Sequence, residues 1–268
     1  MNWKFSIVVS LERGLKPFGI SCKLDEIEKI KEIGYDGIEL FIKDPSKIKV
    51  GKIKETCENL GLRICGVGTG ASYGIYGLSL TSPSVSTRKK VMERIEEYAK
   101  VCSSFECLMI IGSMKGNVTN YKRGWKLLVS SLKKCNKILE NYGVYMVLEP
   151  LNRYESNIIN TAAEAKKLID EVGGKRIFLM LDTFHMNIEE RNIKETIRKF
   201  SAWLKHIHFA DSNRLVPGLG HLNFKEILSI LKKINYKNFI SIEILPPLNR
   251  WKIARMGLNY LKKISTNC

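Results

Sequence analysis

Hydrophobic positions along this chain alternate between two textures. Short, nearly unbroken apolar runs occupy residues 5–10, 37–42, 63–70, 107–112, 144–150, 177–183, 206–212 and 239–246. Runs of this kind are what strands buried on both faces look like. Between them, apolar residues recur every three or four positions near 22–33, 50–60, 84–104, 121–142, 161–172, 193–200, 223–234 and 250–264. That period predicts helices with one buried face. Thr161 followed by Glu164 has the spacing of a capping box. Gly34, Gly61, Gly143 and Gly173 stand where helices should stop. Eight strands alternating with eight helices predict an α/β fold of the (β/α)8 TIM-barrel type. The pattern alone also admits an open parallel sheet; the strand count favours closure. No linker, low-complexity tract or compositional break divides residues 1–268, so a single domain is expected.

Composition narrows the function. The net charge is +17, from 44 Lys and Arg against 27 Asp and Glu. A basic face suits nucleic acid, but the lysines are spread over helical stretches such as IEKIKEIG and YKRGWKLLVSSLKKCNK and form no block. They read as solvated helix faces, and no nucleic-acid partner is expected. No apolar run is long enough to cross a bilayer, so no membrane partner is expected either. The segment MNWKFSIVVSLERG has only a short apolar stretch before Glu12 and Arg13 and reads as a first strand, not a signal peptide. Seven cysteines, an odd number without a CxxC pair, predict reduced thiols and a cytoplasmic location.

Candidate chemistry sits at the ends of the last four strand-like runs. Glu149 closes VYMVLEP, Asp182 closes IFLMLDT, His208 lies in HIHFADS and Glu243 in FISIEILP. They are spaced by about one strand-plus-helix unit each. In a parallel barrel such positions converge on the C-terminal mouth, where active sites are built. One such carboxylate is usually a salt-bridged rim residue; four positions with ligand chemistry on consecutive strands predict a metal site. Two Glu, one Asp and one His suit a hard divalent ion, Mn²⁺ first, with Co²⁺ or Mg²⁺ as alternatives. His206 points to the same face as His208, so one histidine is expected to ligate while the other packs; His208, nearer the strand end, is taken as the ligand. Asn152, Arg153, Glu155, His185, Asp211 and Arg214 fall in the adjoining loops.

These segments resemble a known family. EPLNRYE followed by INT, LDTFHMNIEE, the run HIHFADSNRLVPGLGH and the final IEILP are similar to D-tagatose 3-epimerases and L-ribulose 3-epimerases, which are xylose-isomerase-like barrels. GVGTGASYGIYGLSLTSP, IIGSMKG and KDPSKI resemble most closely the 5-keto-L-gluconate epimerase branch, which acts on ketouronates. The resemblance spans nearly the whole chain. It implies that Glu149, Asp182, His208 and Glu243 hold one divalent ion, and that Glu149 and Glu243 are also the catalytic proton-transferring pair. It implies substrate contacts by Glu155, His185 and Arg214. Gly68 and Thr69 match a loop lining the pocket. The expected substrate is a small keto sugar or ketouronate, and the family makes a homodimer or homotetramer plausible.

The chemistry fits those residue types. Inverting a carbon next to a ketone removes its proton and returns one to the opposite face through a cis-enediolate. A divalent ion stabilises the developing charge, and two carboxylates on different strands serve as base and acid, each typically contributing about 10²–10⁴-fold in rate. Lys115 or Arg88 offers a cation for a ketouronate carboxylate. Three rivals remain at this level: an aldose–ketose isomerase of the hydroxypyruvate isomerase type, an endonuclease IV-like abasic-site nuclease, and a non-catalytic sugar-binding barrel. His185, His206, His208 and His221 are the chain's four histidines, too few for a trinuclear zinc nuclease.

Overall fold

A computed structural model of the protein describes residues 3–12 and 18–266. Eight parallel strands run β1 (Lys4–Ser10), β2 (Gly37–Phe41), β3 (Arg63–Gly68), β4 (Leu108–Ile111), β5 (Met146–Leu148), β6 (Ile177–Asp182), β7 (Leu204–Phe209) and β8 (Phe239–Ile242). Each pairs with its sequence neighbour, and β1 pairs with β8 from Lys4 opposite Phe239 to Ile7 opposite Ile242, which closes the barrel. A two-residue strand, Ile20–Ser21, adds to the end of β1.

Helices connect the strands: α1 (Glu28–Ile33), α2 (Val50–Asn59), α3 (Gly70–Tyr76), α4 (Val85–Phe105), α5 (Tyr121–Tyr142), α6 (Ala162–Val172), α7 (Thr183–Glu189), α8 (Ile193–Lys199), α9 (Phe224–Lys233) and α10 (Arg250–Ser265). In α9 the spacing of Phe224, Ile227, Leu228 and Leu231 puts all four on one buried face; burying each contributes about 1.5–3 kcal/mol. Helix ends follow local chemistry. Thr161 accepts from the Glu164 amide, and the Glu164 carboxylate accepts from the Thr161 amide. Gly143 and Gly173 close α5 and α6 in the left-handed conformation at φ 68°, which costs glycine little.

Several elements stop short of the expected bounds, as where 239–246 is a strand only over Phe239–Ile242 and 22–33 an α-helix only over Glu28–Ile33; three further departures have a visible local setting. The run 144–150 is a strand only over Met146–Leu148, although the Glu149 amide still donates to Ile111 O at 2.9 Å and so continues the ladder. The run 206–212 is a strand over Leu204–Phe209, because Asp211 turns away to accept from the amides of Ser212, Gly218 and Leu222. Two short helices, α3 and α7, stand directly on the mouth ends of β3 and β6, where loops were expected.

The main apolar core lies between the strands and the outer helices. Inside the barrel, Ile110, Val147 and Met180 make a separate apolar cluster on β4, β5 and β6. The lumen also holds a polar set. Cys65 of β3 reaches Ser6 of β1 and Ser241 of β8, and Glu39 of β2 reaches His206 and His208 of β7. These strands are not neighbours, so the contacts cross the lumen.

Candidate metal centre and active site

Glu149, Asp182, His208 and Glu243 come together at the C-terminal mouth from the ends of β5, β6, β7 and β8, each offering a ligand atom within 4.8 Å of the others. His208 Nδ1 faces Glu243 Oε2 at 3.4 Å and Glu149 Oε1 and Asp182 Oδ2 at 3.7 Å each. Glu149 Oε1, Asp182 Oδ2 and His208 Nδ1 are buried and make no hydrogen bond. Buried polar atoms are normally paired, so three orphans aimed at one point fit a cation. The electrostatics agree. Burial, and then the neighbouring Glu243, raise the Glu149 carboxyl to about 8 and Asp182 to about 7. Three carboxylates with one histidine are a net negative cluster that a divalent ion would neutralise.

Each ligand is held by its other atom. Asp182 Oδ1 caps α7 by accepting from the amides of Phe184 (2.6 Å) and His185 (3.2 Å), which leaves Oδ2 for the site. His208 Nε2 lies 3.0 Å from Glu39 Oε2, which orients the ring with Nδ1 toward the carboxylates. Burial alone would lower the His208 pKa; Glu39 and Glu243 outweigh it and raise it well above the usual value. His206 instead packs against Glu39, with Nε2 at 2.8 Å from Oε2. Glu149 is set by two features. Lys115, fully buried, donates to its main-chain carbonyl. Gly112 lies so close that a Cβ there would meet Glu149 Oε2 at 2.4 Å.

A cavity of about 280 Å³ opens over the centre. Its polar side holds Glu149, Glu243, Glu155, His185, His208 and Arg214, and its far wall holds Gly68, Thr69, Gly70, Ala71, Ile75 and Ser113, with Phe18 and Phe41. His185 Nδ1 lies 3.3 Å from the Asn152 amide and 2.8 Å from its Nδ2. It therefore accepts, and Nε2 carries the proton; Nε2 is unpaired and lies 3.9 Å from Glu149 Oε1. Burial keeps His185 neutral by holding its pKa well below the usual value. The Arg214 guanidinium is clamped between Glu155 (2.5 Å) and Glu243 (3.7 Å) and stacks 3.7 Å from the Phe18 ring centroid. The Thr69 side chain lines the cavity while its hydroxyl donates to Ile110 O at 2.8 Å.

Neither Lys115 nor Arg88 serves as the expected cation for a substrate carboxylate. Lys115 is consumed by the Glu149 carbonyl, Arg88 donates to Ser82 O, and neither lines the cavity. The residues that sequence reading passed over are Glu39 and Gly112; the sequence places Asn152 in the adjoining loop without a role. Glu39 had a signal, a carboxylate inside an apolar strand, which is rarely buried without a partner. Gly112 had none, because its role depends on a side chain from another strand.

The sequence matches the profile described as the xylose isomerase-like TIM barrel over residues 27–264. It is 31% identical to a D-psicose 3-epimerase of Ruminiclostridium cellulolyticum, over 81% of this chain and 76% of that protein. It is 29% identical to the 3-dehydro-D-guloside 4-epimerase of Escherichia coli, over 82% and 86%. A 43% identical stretch with the D-psicose 3-epimerase of Enterocloster bolteae spans 47% of this chain and only 42% of that protein. Among solved structures, the E. coli 3-keto-D-glucoside 4-epimerase superposes with a TM-score of 0.83 at 23% identity, covering 98% of this chain and all of that one. The D-psicose 3-epimerase of Clostridium cellulolyticum with D-tagatose gives 0.81 at 26%, covering 98% and 99%. The chain belongs to the xylose isomerase-like TIM-barrel family, among its keto-sugar epimerases, and is an enzyme of the isomerase class.

Proposed function

We propose that this protein is a divalent-metal-dependent epimerase that inverts the carbon next to the ketone of a keto sugar. The observation that carries the reading is the set of three orphaned buried atoms on Glu149, Asp182 and His208, converging with Glu243 beneath a sugar-sized cavity. Those four residues would hold the ion, Mn²⁺ being the best match to their donors. When bound, it supplies positive charge against the enediolate oxygens and a template for the substrate.

The chain's own residues do the proton work. Glu149 and Glu243 stand three strands apart round the ring, so one removes the proton from the carbon beside the ketone and the other returns one to the opposite face. His185 donates from Nε2, the tautomer fixed by Asn152, to a substrate oxygen. Arg214 is placed by Glu155 to donate at the same end of the cavity.

The favoured substrate is a ketouronate, 5-keto-L-gluconate giving D-tagaturonate. The segments that resemble the ketouronate branch, GTGASYG and IIGSMKG, supply the far wall of the cavity through Gly68 to Ala71, Gly112 and Ser113. Without Lys115 or Arg88, a carboxylate there would be held by Ser113 and main-chain amides. A neutral ketose is the second reading, favoured by that wall's apolar share and by Arg214 being the single cation among the described lining residues. The test is kcat/KM with Mn²⁺ on 5-keto-L-gluconate beside D-tagatose, D-fructose and L-ribulose, with products resolved by chromatography and turnover in D₂O. Deuterium is expected at the inverted carbon. Turnover without solvent label removes the two-carboxylate mechanism, and a neutral ketose turned over more efficiently removes the ketouronate reading.

A further inference from the structure

A cavity of about 930 Å³ lies at the opposite, N-terminal end of the barrel. Cys65 of β3 and His206 of β7 line it, and both are buried. With Glu39 of β2 they form a second group of metal-binding type, one ligand atom of each lying within 4.8 Å of the other two. Cys65 and His206 take no part in the centre at the mouth. Glu39 bears on that centre through His208 and also lines the cavity above it.

Three features distinguish this group from an ordinary hydrogen-bonded core. His206 uses Nε2 toward Glu39, yet its Nδ1 is buried without a partner. Buried ring nitrogens are normally both paired, so packing leaves His206 incompletely satisfied. The Cys65 thiol is held weakly, at 3.2 Å from Ser6 Oγ and 3.6 Å from Ser241 Oγ. Those two hydroxyls already pair with each other at 2.6 Å, so Cys65 can leave them without orphaning either. Finally, the 930 Å³ cavity reaches two members of the group, Cys65 and His206, from the end opposite the substrate's entrance, while Glu39 faces the substrate cavity.

We propose that Glu39, Cys65 and His206 form a second metal site, loaded from the N-terminal end of the barrel and selective for a borderline ion, Zn²⁺. A thiolate and a carboxylate balance the charge of a divalent ion. The thiol proton leaves to solvent as the ion binds. Thiolate and imidazole donors favour Zn²⁺ over Mn²⁺ or Mg²⁺, the reverse of the oxygen-rich set at the mouth. Three protein ligands leave a fourth position facing the cavity. Glu39 Oε1, 3.1 Å from His208 Nε2, links the two centres.

Co²⁺ separates the sites by spectroscopy. Thiolate bound to Co²⁺ gives an intense near-ultraviolet charge-transfer band; carboxylate and imidazole donors do not. Metal-stripped protein titrated with Co²⁺ is expected to bind two equivalents and develop the band, which Zn²⁺ erases at lower concentration than Mn²⁺. Cys65→Ser should bind one equivalent and show no band. The double variant Asp182→Asn, Glu243→Gln should keep the band. Should Cys65→Ser fail to fold, His206→Gln must lose the second equivalent instead. One equivalent with no band in the unaltered protein overturns the proposal, and so does a band that survives Cys65→Ser, which would place the thiolate at Cys102 or Cys107.

Discussion

At the scale of single residues, the site is built by giving each functional group one neighbour that fixes it and one face left free. Asn152 spends its amide groups on His185 Nδ1 and Glu155, so the free nitrogen of His185 is a donor. Glu39 holds His208 by the ring nitrogen that faces away from the centre. The ligand residues themselves were legible in the sequence, because carboxylates and histidine at the ends of apolar runs stand out against their surroundings. Their supports were not. Lys115 reads in the sequence as a cation for a substrate carboxylate or a surface charge, and only the fold shows its ammonium buried against the Glu149 carbonyl. Gly112 is the sharpest case. A methyl group at this position would lie 2.4 Å from Glu149 Oε2 and 3.6 Å from Leu151 Cδ2. The carboxylate, being the end of a flexible side chain, would swing aside and the fold would survive. Gly112→Ala is therefore expected to lose about 10²-fold or more in kcat/KM, within the range for displacing one proton-transfer group, with a nearly unchanged melting temperature. An active Gly112→Ala enzyme would show that Glu149 does not work from the position seen here.

At the scale of elements, the strand and helix alternation was written plainly in the hydrophobic pattern, since strands buried on both faces and one-sided helices differ in period. The two mouth helices were not visible. α3 runs through GASYGIY, which is poor in the usual helix formers and carries two glycines, and α7 begins inside the strand-like run 177–183. What makes α7 is its cap: Asp182 ends β6 and starts the helix in one residue. The same carboxylate therefore does two separable jobs, with Oδ1 on the helix amides and Oδ2 toward the metal centre. Substitution can split them. Asp182→Asn keeps an oxygen acceptor for the amides and loses the charge; Asp182→Ala loses both. Both variants are expected to bind metal weakly. In the metal-free state, Asp182→Ala should be the less stable of the two by about 1 kcal/mol, the usual worth of an N-cap, as read by denaturant unfolding. Equal stabilities would mean that packing alone, and not the Asp182 cap, places α7 and with it His185.

At the scale of the whole molecule, the barrel has a polar axis, with the candidate metal centre at one end and a thiol, imidazole and carboxylate group toward the other. Burying so many ionisable groups in one lumen ties stability to pH and to metal. Without an ion, Glu149 and Asp182 have folded values near 8 and 7, raised chiefly by burial and then by Glu243, against ordinary values of 4.5 and 3.8. His208 is raised as well, because Glu39 and Glu243 overcome its burial. A group raised on folding contributes stability that is complete below its unfolded value and is lost as pH climbs through its folded value. All three therefore act in the same direction; the lowered values of buried His185 and His206 oppose them below about pH 6.5, so the metal-free protein should weaken chiefly between about pH 6.5 and pH 8. A cation binds the deprotonated set and competes with these protons, so its stabilising effect runs the other way and grows with pH. The measurement is thermal unfolding with and without Mn²⁺ at pH 5.5 and pH 8. It is best made in the Cys65→Ser background, where only the four ligands at the mouth are read. The upward shift in melting temperature is expected to be several-fold larger at pH 8. A shift equal at both values, or larger at pH 5.5, would mean that Mn²⁺ binds somewhere other than the buried set of Glu149, Asp182, His208 and Glu243.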